Sequence, residues 1–387
     1  MSLTKEAAIG LKDAIRAIYR VNLGVKRTER VLVFTDKPTK RENITPEDIE
    51  RRERLRDIAH LTAEAGRGLA KEIIYLEYPA TGSHAKEPPR RLYELAFGKR
   101  AFDALQSRGL LRPILGKKVK DEELREAEKI ILKYKKDAVD CVIALSNYST
   151  SHTIFRNLLT KTCGARYASM PLFEVGMLEG AMDVDWLVLE KRTKLIAKEV
   201  GKADSIEISA PNGTHLRFSK GGRKAHADTG NLRKSGSFGN LPAGEVFLAP
   251  LEGTAEGRLV LEWAPTRKLE SPATITVKEG FAVNVAGDEP FASELKVRLS
   301  ERRENGNIAE LGIGTNERAK RPDNILESEK ILGTIHIALG DNSTFGGRVK
   351  APFHQDFVFF RPTIMLIDKK GSRTLLMKDG IFREGLL

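Results

Sequence analysis

The chain has only two cysteines in 387 residues, Cys141 and Cys163. Two isolated cysteines make neither a disulfide framework nor a zinc cluster, and a reducing cytoplasm is the expected compartment. Cys141 falls inside the run AVDCVIAL, where a small buried thiol is expected. Aromatic residues are also scarce, at 6%, and no nucleic-acid-binding motif occurs. The formal net charge of +12 therefore does not by itself point to nucleic acid. The basic residues are interleaved with acids, as in RRERLRDIAH and KDEELREAEKIILKYKKD, which read as solvated helix faces with helical-spacing ion pairs. No apolar run approaches the length of a membrane span, so neither a membrane nor a nucleic acid is an expected partner. The first residues, SLTKEAAIGLKDAIRAIYRV, carry charges throughout and read as an amphipathic helix rather than a secretory signal. Internal repeats and low-complexity tracts are lacking as well.

What is present is a normal globular balance, 41% hydrophobic and 30% charged, in a chain too long for one ordinary core. The first half alternates helix and strand patterns. ERVLVFTD and KEIIYLEYP read as strands around the helix ITPEDIERRERLRDIAHLTAEAGRGLA. Thr45 is the expected N-cap, Pro46 the first helical residue, and Asp48 the acidic member of a capping box. AVDCVIALSN is the next strand, and SHTIFRNLLTKTCGARYASMP reads as a helix stopped by Gly164 before a further strand. This alternation predicts a doubly wound, mostly parallel sheet. Near Lys198 the pattern changes to short strands with Gly and Pro punctuation, beginning with a hairpin at Asn212-Gly213. The expected organisation is an α/β domain over 1–195 and an α+β, strand-rich metal-binding domain over 196–387.

Five ionisable residues of the second half lie in or beside apolar runs. Glu245 is in GEVFLAP, Glu310 in AELGIGTN, His336 in GTIHIALG, and His354 and Asp356 in HQDFVFF. Apolar strands tolerate such groups poorly unless they are paired or bound to a metal. Strand side chains alternate faces, so His354 and Asp356 project together, and His336 shares its face with the small residues Thr334 and Ala338. Taken singly, each histidine reads as a satisfied core or rim residue. Taken together, the five point to one metal site. Three carboxylates are neutralised by two dications and a bridging hydroxide, whereas one dication leaves a net negative site. Oxygen-rich ligation with imidazole suits zinc, cobalt, manganese or iron.

The stretches NLPAGEVFLAP, AELGIGTN, EKILGTIHIALG and the ending HQD, in this order, resemble the aminopeptidase T and aminopeptidase S family of metallopeptidases. Ser151-His152-Thr153 and GARYASMP resemble that family's first domain. The resemblance implies homodimers that bind two divalent metals in the C-terminal domain and release N-terminal residues from peptides. It implies Glu245, Glu310, His336, His354 and Asp356 as metal ligands. It also implies a tyrosine ligand seven residues after the histidine of HIALG, where this chain has Ser343, with Phe345 the nearest aromatic. On this reading the chain is a hydrolase in which metal-bound water attacks the peptide carbonyl. Glu252, Glu256 and Glu329 are candidates for the carboxylate that shuttles the proton, Glu329 reading better as a structural partner of Lys330 or a neighbouring arginine.

Two other readings fit the same residues. His336, His354 and Asp356 alone form the two-histidine, one-carboxylate set of a mononuclear non-haem iron oxygenase. A dihydroxypyridine ring-cleaving dioxygenase is similar in overall fold to the aminopeptidase family. A metal-binding protein without catalysis is the third.

Overall fold

Eight consecutive residues, Arg30–Lys37, form an interior strand of the first unit, and six of them are buried. The computed structural model describes residues 5–40 and 42–387. The chain folds as two compact units, Met1–Asp183 with Gly230–Pro242, and Val184–Thr229 with Ala243–Leu387. The expected division lay between residues 195 and 196. Helix Trp186–Gly201 lies in the second unit, and the short strand Phe238–Asn240 in the first.

In the first unit, β1 (Arg30–Lys37), β2 (Glu72–Pro79), β3 (Cys141–Ala144) and β4 (Arg166–Ser169) join Phe238–Asn240 in an all-parallel sheet. The strand order is β2-β1-β3-β4 and then Phe238–Asn240. Helices cross between the strands, as parallel pairing requires. Helix Pro46–Ala65 starts as the sequence predicts, with the Thr45 hydroxyl accepting from the Asp48 amide at 3.3 Å. The Asp48 carboxylate does not complete a capping box; it pairs with Arg51 and Arg52. The segment before Gly164 is α-helical over Ile154–Asn157 and π-helical over Leu158–Cys163, and Gly164 ends it at φ 73°. Residues 2–4 of the expected N-terminal helix lie outside the described residues; Lys5–Ala17 is helical. Cys141 and Cys163 are both buried and free. Among the described residues no helix is long and apolar enough to cross a membrane.

The second unit is built from two antiparallel sheets. One has eight strands, among them the hairpin Ser205–Ser209 and His215–Ser219 around Asn212-Gly213. The other has five: β5 (His226–Asp228), β6 (Glu245–Leu248), β7 (Ile308–Gly314), β8 (Ile335–Gly340) and β9 (His354–Phe359), in the order β9-β8-β7-β6-β5. Val246, Leu248, Leu311, Ile313, Ile335, Ile337, Leu339, Phe357 and Phe359 join one core with Ile206, Ile208, Leu216, Phe218, Leu259 and Ile275 of the larger sheet. The fold class is thus the mixed α/β arrangement read from the sequence, a parallel sheet unit and a strand-rich unit.

Candidate metal centre

Because side chains alternate along a strand, the apolar face of the five-stranded sheet fixes what the other face carries. Val246, Leu311, Ile313, Ile335, Ile337, Phe357 and Phe359 point into the core, so Glu245, Glu310, His336 and Asp356 point away from it. The ladder brings them side by side. Gly312 pairs with His336, which pairs with Val358 one row from the Ala338–Asp356 pair, and Gly340 pairs with His354.

The structure brings all five predicted residues together. His336 Nε2 lies 3.6 Å from Glu245 Oε2, 3.6 Å from Glu310 Oε1 and 3.9 Å from Asp356 Oδ1. His354 Nε2 lies 3.4 Å from Glu310 Oε2 and 3.6 Å from Asp356 Oδ2. The donor atoms of Glu310, His354 and Asp356 all fall within 4.8 Å of one another. His336 is buried and His354 keeps a third of its side chain exposed, which places the rim of the site at β9.

These separations are long for hydrogen bonds. Atoms bound about 2.0–2.2 Å from a common cation stand roughly 3–3.6 Å apart, which four of these five separations match, the His336–Asp356 separation of 3.9 Å being longer. Glu245 Oε2 and His336 Nδ1 are buried without a hydrogen-bond partner. Glu245 Oε2 faces His336 Nε2, and an orphaned carboxylate oxygen there is costly in a bare pocket and accounted for by a metal between that oxygen and Nε2, Nδ1 lying on the other edge of the ring. The donor set therefore fits a transition-metal ion. His354 Nδ1 lies 2.7 Å from the Asp341 carbonyl, to which it donates when that nitrogen carries the proton. Such a bond leaves Nε2 with a free lone pair directed at the carboxylates.

The charges are mutually stabilised. Burial alone would lower the His336 imidazole, but Glu310, Glu245 and Asp356 outweigh it and push it up to about 9. His354 is likewise raised, its burial overcome by Asp356 and Glu310. Glu310 and Asp356 are held below their ordinary range by the same imidazoles, against burial. Glu245 goes the other way: burial pushes it up to about 8 despite Lys330 and His336.

Lys330 is the residue that sequence reasoning used least. Its side chain is 0% exposed, and its ammonium donates to Glu245 Oε1 and to Glu329 Oε2, each at 2.7 Å. Glu329 is thus a partner of Lys330, as its structural reading had it. The other two proton-shuttle candidates lie elsewhere. Glu252 is engaged by Arg223, Asn342 and the Arg348 amide. Glu256 is exposed and accepts from the Glu279 amide. Ser343 is exposed, and its hydroxyl donates to the Asp341 carboxylate at 3.0 Å. A narrow cavity beside the site is lined by Pro265, Pro322, Ile325 and Val358 on its apolar side and by Ser328, Glu329, His336 and Asp356 on its polar side.

Comparison with known proteins separates the readings. The family described as NicX, 2,5-dihydroxypyridine 5,6-dioxygenase, matches residues 184–373, a span that contains all five site residues. A 2,5-dihydroxypyridine 5,6-dioxygenase from Pseudomonas putida is 25% identical over 197 residues, 46% of this chain and 56% of that protein. The chain thus matches little more than half the length of this relative. The solved structure of the Pseudomonas putida 2,5-dihydroxypyridine dioxygenase aligns with a TM-score of 0.67 at 18% identity, covering 97% of each chain. Wild-type AmpT from Thermus thermophilus aligns with a TM-score of 0.58 at 16% identity, covering 97% of this chain and 99% of that one. At these identities the structural likenesses establish the fold alone.

The resemblance to aminopeptidases T and S is therefore a resemblance of fold, and the expectation of a peptide-hydrolysing metalloprotease is corrected. At the level of sequence the matches fall on a dioxygenase, not on a hydrolase. The misreading has a physical reason: the fold is common to a dioxygenase and to AmpT, and a shared fold does not fix the chemistry of its site. The pair of zinc, cobalt or manganese ions expected with the aminopeptidase reading has no support beyond the presence of a candidate metal site.

Proposed function

We propose that this chain is a mononuclear non-haem iron dioxygenase that opens a dihydroxypyridine-type ring. The observation that carries the proposal is the convergence of His336, His354 and Asp356 on one sheet face, within the segment that matches the dioxygenase family. Two imidazoles and one carboxylate are the set that holds ferrous iron while leaving other positions open. Bound there, iron would supply the one-electron chemistry that lets dioxygen react with an electron-rich ring. One ring carbon–carbon bond breaks and both oxygen atoms enter the product, so no outside reductant is consumed.

The remaining residues have roles that need no second metal. The Asp341 carbonyl orients the His354 ring. Glu310 lies between the two imidazoles, one oxygen facing the Nε2 atom of each, and sets a negative charge beside the metal position. Glu245 balances Lys330. The cavity beside the site sets an apolar wall of Pro265, Pro322, Ile325 and Val358 against a polar edge of Ser328 and Glu329, and its volume of about 10 Å³ holds no more than a water, so a ring enters only if this wall moves.

The test is reconstitution of metal-free protein with ferrous iron under anaerobic conditions, followed by addition of 2,5-dihydroxypyridine and oxygen. Loss of the ring absorbance with one oxygen molecule taken up per ring, and both atoms of labelled oxygen in the product, is expected. Zinc-loaded protein should be inert. Label entering from water, or no ring loss with fully iron-loaded protein, overturns the proposal.

A further inference from the structure

We infer that Lys330 is a built-in cation standing where a second metal would bind, and that it limits this site to one dication. The inference rests on reading the His336–His354–Asp356 pocket as a metal centre, and it concerns how many ions that pocket can take.

The ammonium is deeply fixed. Lys330 follows the short helix Ile325–Ser328, and its backbone is tied on both sides, its amide to the Glu327 carbonyl at 2.9 Å and its carbonyl to the Asn316 amide at 2.9 Å. The next residue packs so closely on β7 that a Cβ on Gly314 would fall 2.0 Å from the Ile331 carbonyl oxygen. The side chain reaches the site with no exposed atom. Among polar side chains it is one of the largest fully buried in the protein, and a buried lysine is stable only beside opposite charge.

Glu245 is the link between the two positions. One of its oxygens accepts from Lys330 at 2.7 Å, and the other faces His336 Nε2 at 3.6 Å. A carboxylate bridging two cations in this way is the arrangement of dinuclear sites, whose metals stand about 3.5–4 Å apart. Here one of the two cations is an ammonium. It also holds Glu329 at 2.7 Å, and the field of Asp228 reaches it too. Two carboxylate oxygens on this side of the site, Glu245 Oε1 and Glu329 Oε2, are thus already occupied by N–H donors.

The electrostatics run the same way. Glu245, Glu310 and Asp356 carry three negative charges when ionised. Glu329, held by the same ammonium, adds a fourth; the ammonium cancels one of the four, so a single dication leaves the set one charge short of neutral, where without Lys330 it would be two short.

The experiment is metal counting on the full chain, stripped with chelator and dialysed against zinc or manganese, with elemental analysis of metal per chain. The wild type should take up about one equivalent, and Lys330→Met should take up about two, with manganese resonance showing a coupled pair only in the variant. Lys330→Arg keeps the charge and should stay at one. Two equivalents in the wild type, or one in a folded Lys330→Met, overturns the inference. If Lys330→Met does not fold, combining it with Glu329→Gln removes one stranded charge, and the same counts decide. One equivalent in the wild type without ring cleavage overturns the proposed function and leaves this inference standing. No bound metal overturns both.

Discussion

Gly312 sits directly across the β7–β8 ladder from His336, and the imidazole lies over it. A Cβ added to Gly312 would fall 1.8 Å from His336 Cε1 and 2.0 Å from Nε2. The glycine is therefore a cradle for the ring, and its value is space rather than backbone freedom. Gly312→Ala should displace the imidazole and cost about 1–3 kcal/mol as overpacking. A thermal melt and iron content per chain check it: both should fall together. A variant with wild-type iron content would show that the ring has room to move aside.

That relationship also shows what was legible in the sequence and what was not. The alternation in AELGIGTN and GTIHIALG put Glu310, His336 and small residues on one face of neighbouring strands, and their meeting could be anticipated. The pairing register could not, so the specific role of Gly312 was invisible. Lys330 was hidden for a different reason. A lysine next to a glutamate ahead of an apolar run looks like an exposed helix end, and only tertiary packing buries it. The strand Phe238–Asn240 was missed because three residues carry no period, and because the chain leaves the second unit to supply it. Function was misread because one fold is shared by a dioxygenase and by AmpT, and the fold alone does not fix the chemistry. The absent tyrosine at Ser343 was the residue-level sign that pointed away from the aminopeptidase.

Glu252 links acid stability to the loop that orients His354. Burial alone would raise its carboxyl, but bonds from Arg223 and the Arg348 amide outweigh it and hold it at about 2. A depressed folded value gives stability that is present above the ordinary 4.5 and is lost as pH falls through about 2. The contribution is on the order of 2–3 kcal/mol. Glu252→Gln should lower the melting temperature near neutrality and flatten its decline between pH 5 and about 2.5. An unchanged acid profile would mean that the Arg223 pair contributes nothing to folding.

Glu256 provides the control for the carboxylates weighed as proton carriers. It is exposed on the large sheet and accepts one backbone amide. Glu256→Gln should leave iron content and ring cleavage at wild-type values and shift stability by no more than about 0.5–1 kcal/mol. A large loss of turnover in a folded, iron-loaded variant would place Glu256 in the chemistry after all.

Glu310→Gln separates a role in holding metal from a role in folding. The carboxylate stands 3.6 Å from His336 Nε2 and 3.4 Å from His354 Nε2, and it is foremost among the groups that raise the His336 imidazole to about 9. The amide keeps the size and removes the charge, so metal affinity should drop about 10–100-fold. Metal-free protein gives a second readout. A histidine raised above its ordinary 6.5 adds stability that is fully present below that value and is lost as pH rises through about 9. Chelated wild type should therefore melt lower at pH 9.5 than at pH 6, and in Glu310→Gln that difference should shrink. Normal metal content with a reduced melting temperature would make Glu310 a structural partner only. Weak metal binding with an unchanged pH difference would mean that Glu245 and Asp356, not Glu310, hold the imidazole's charge.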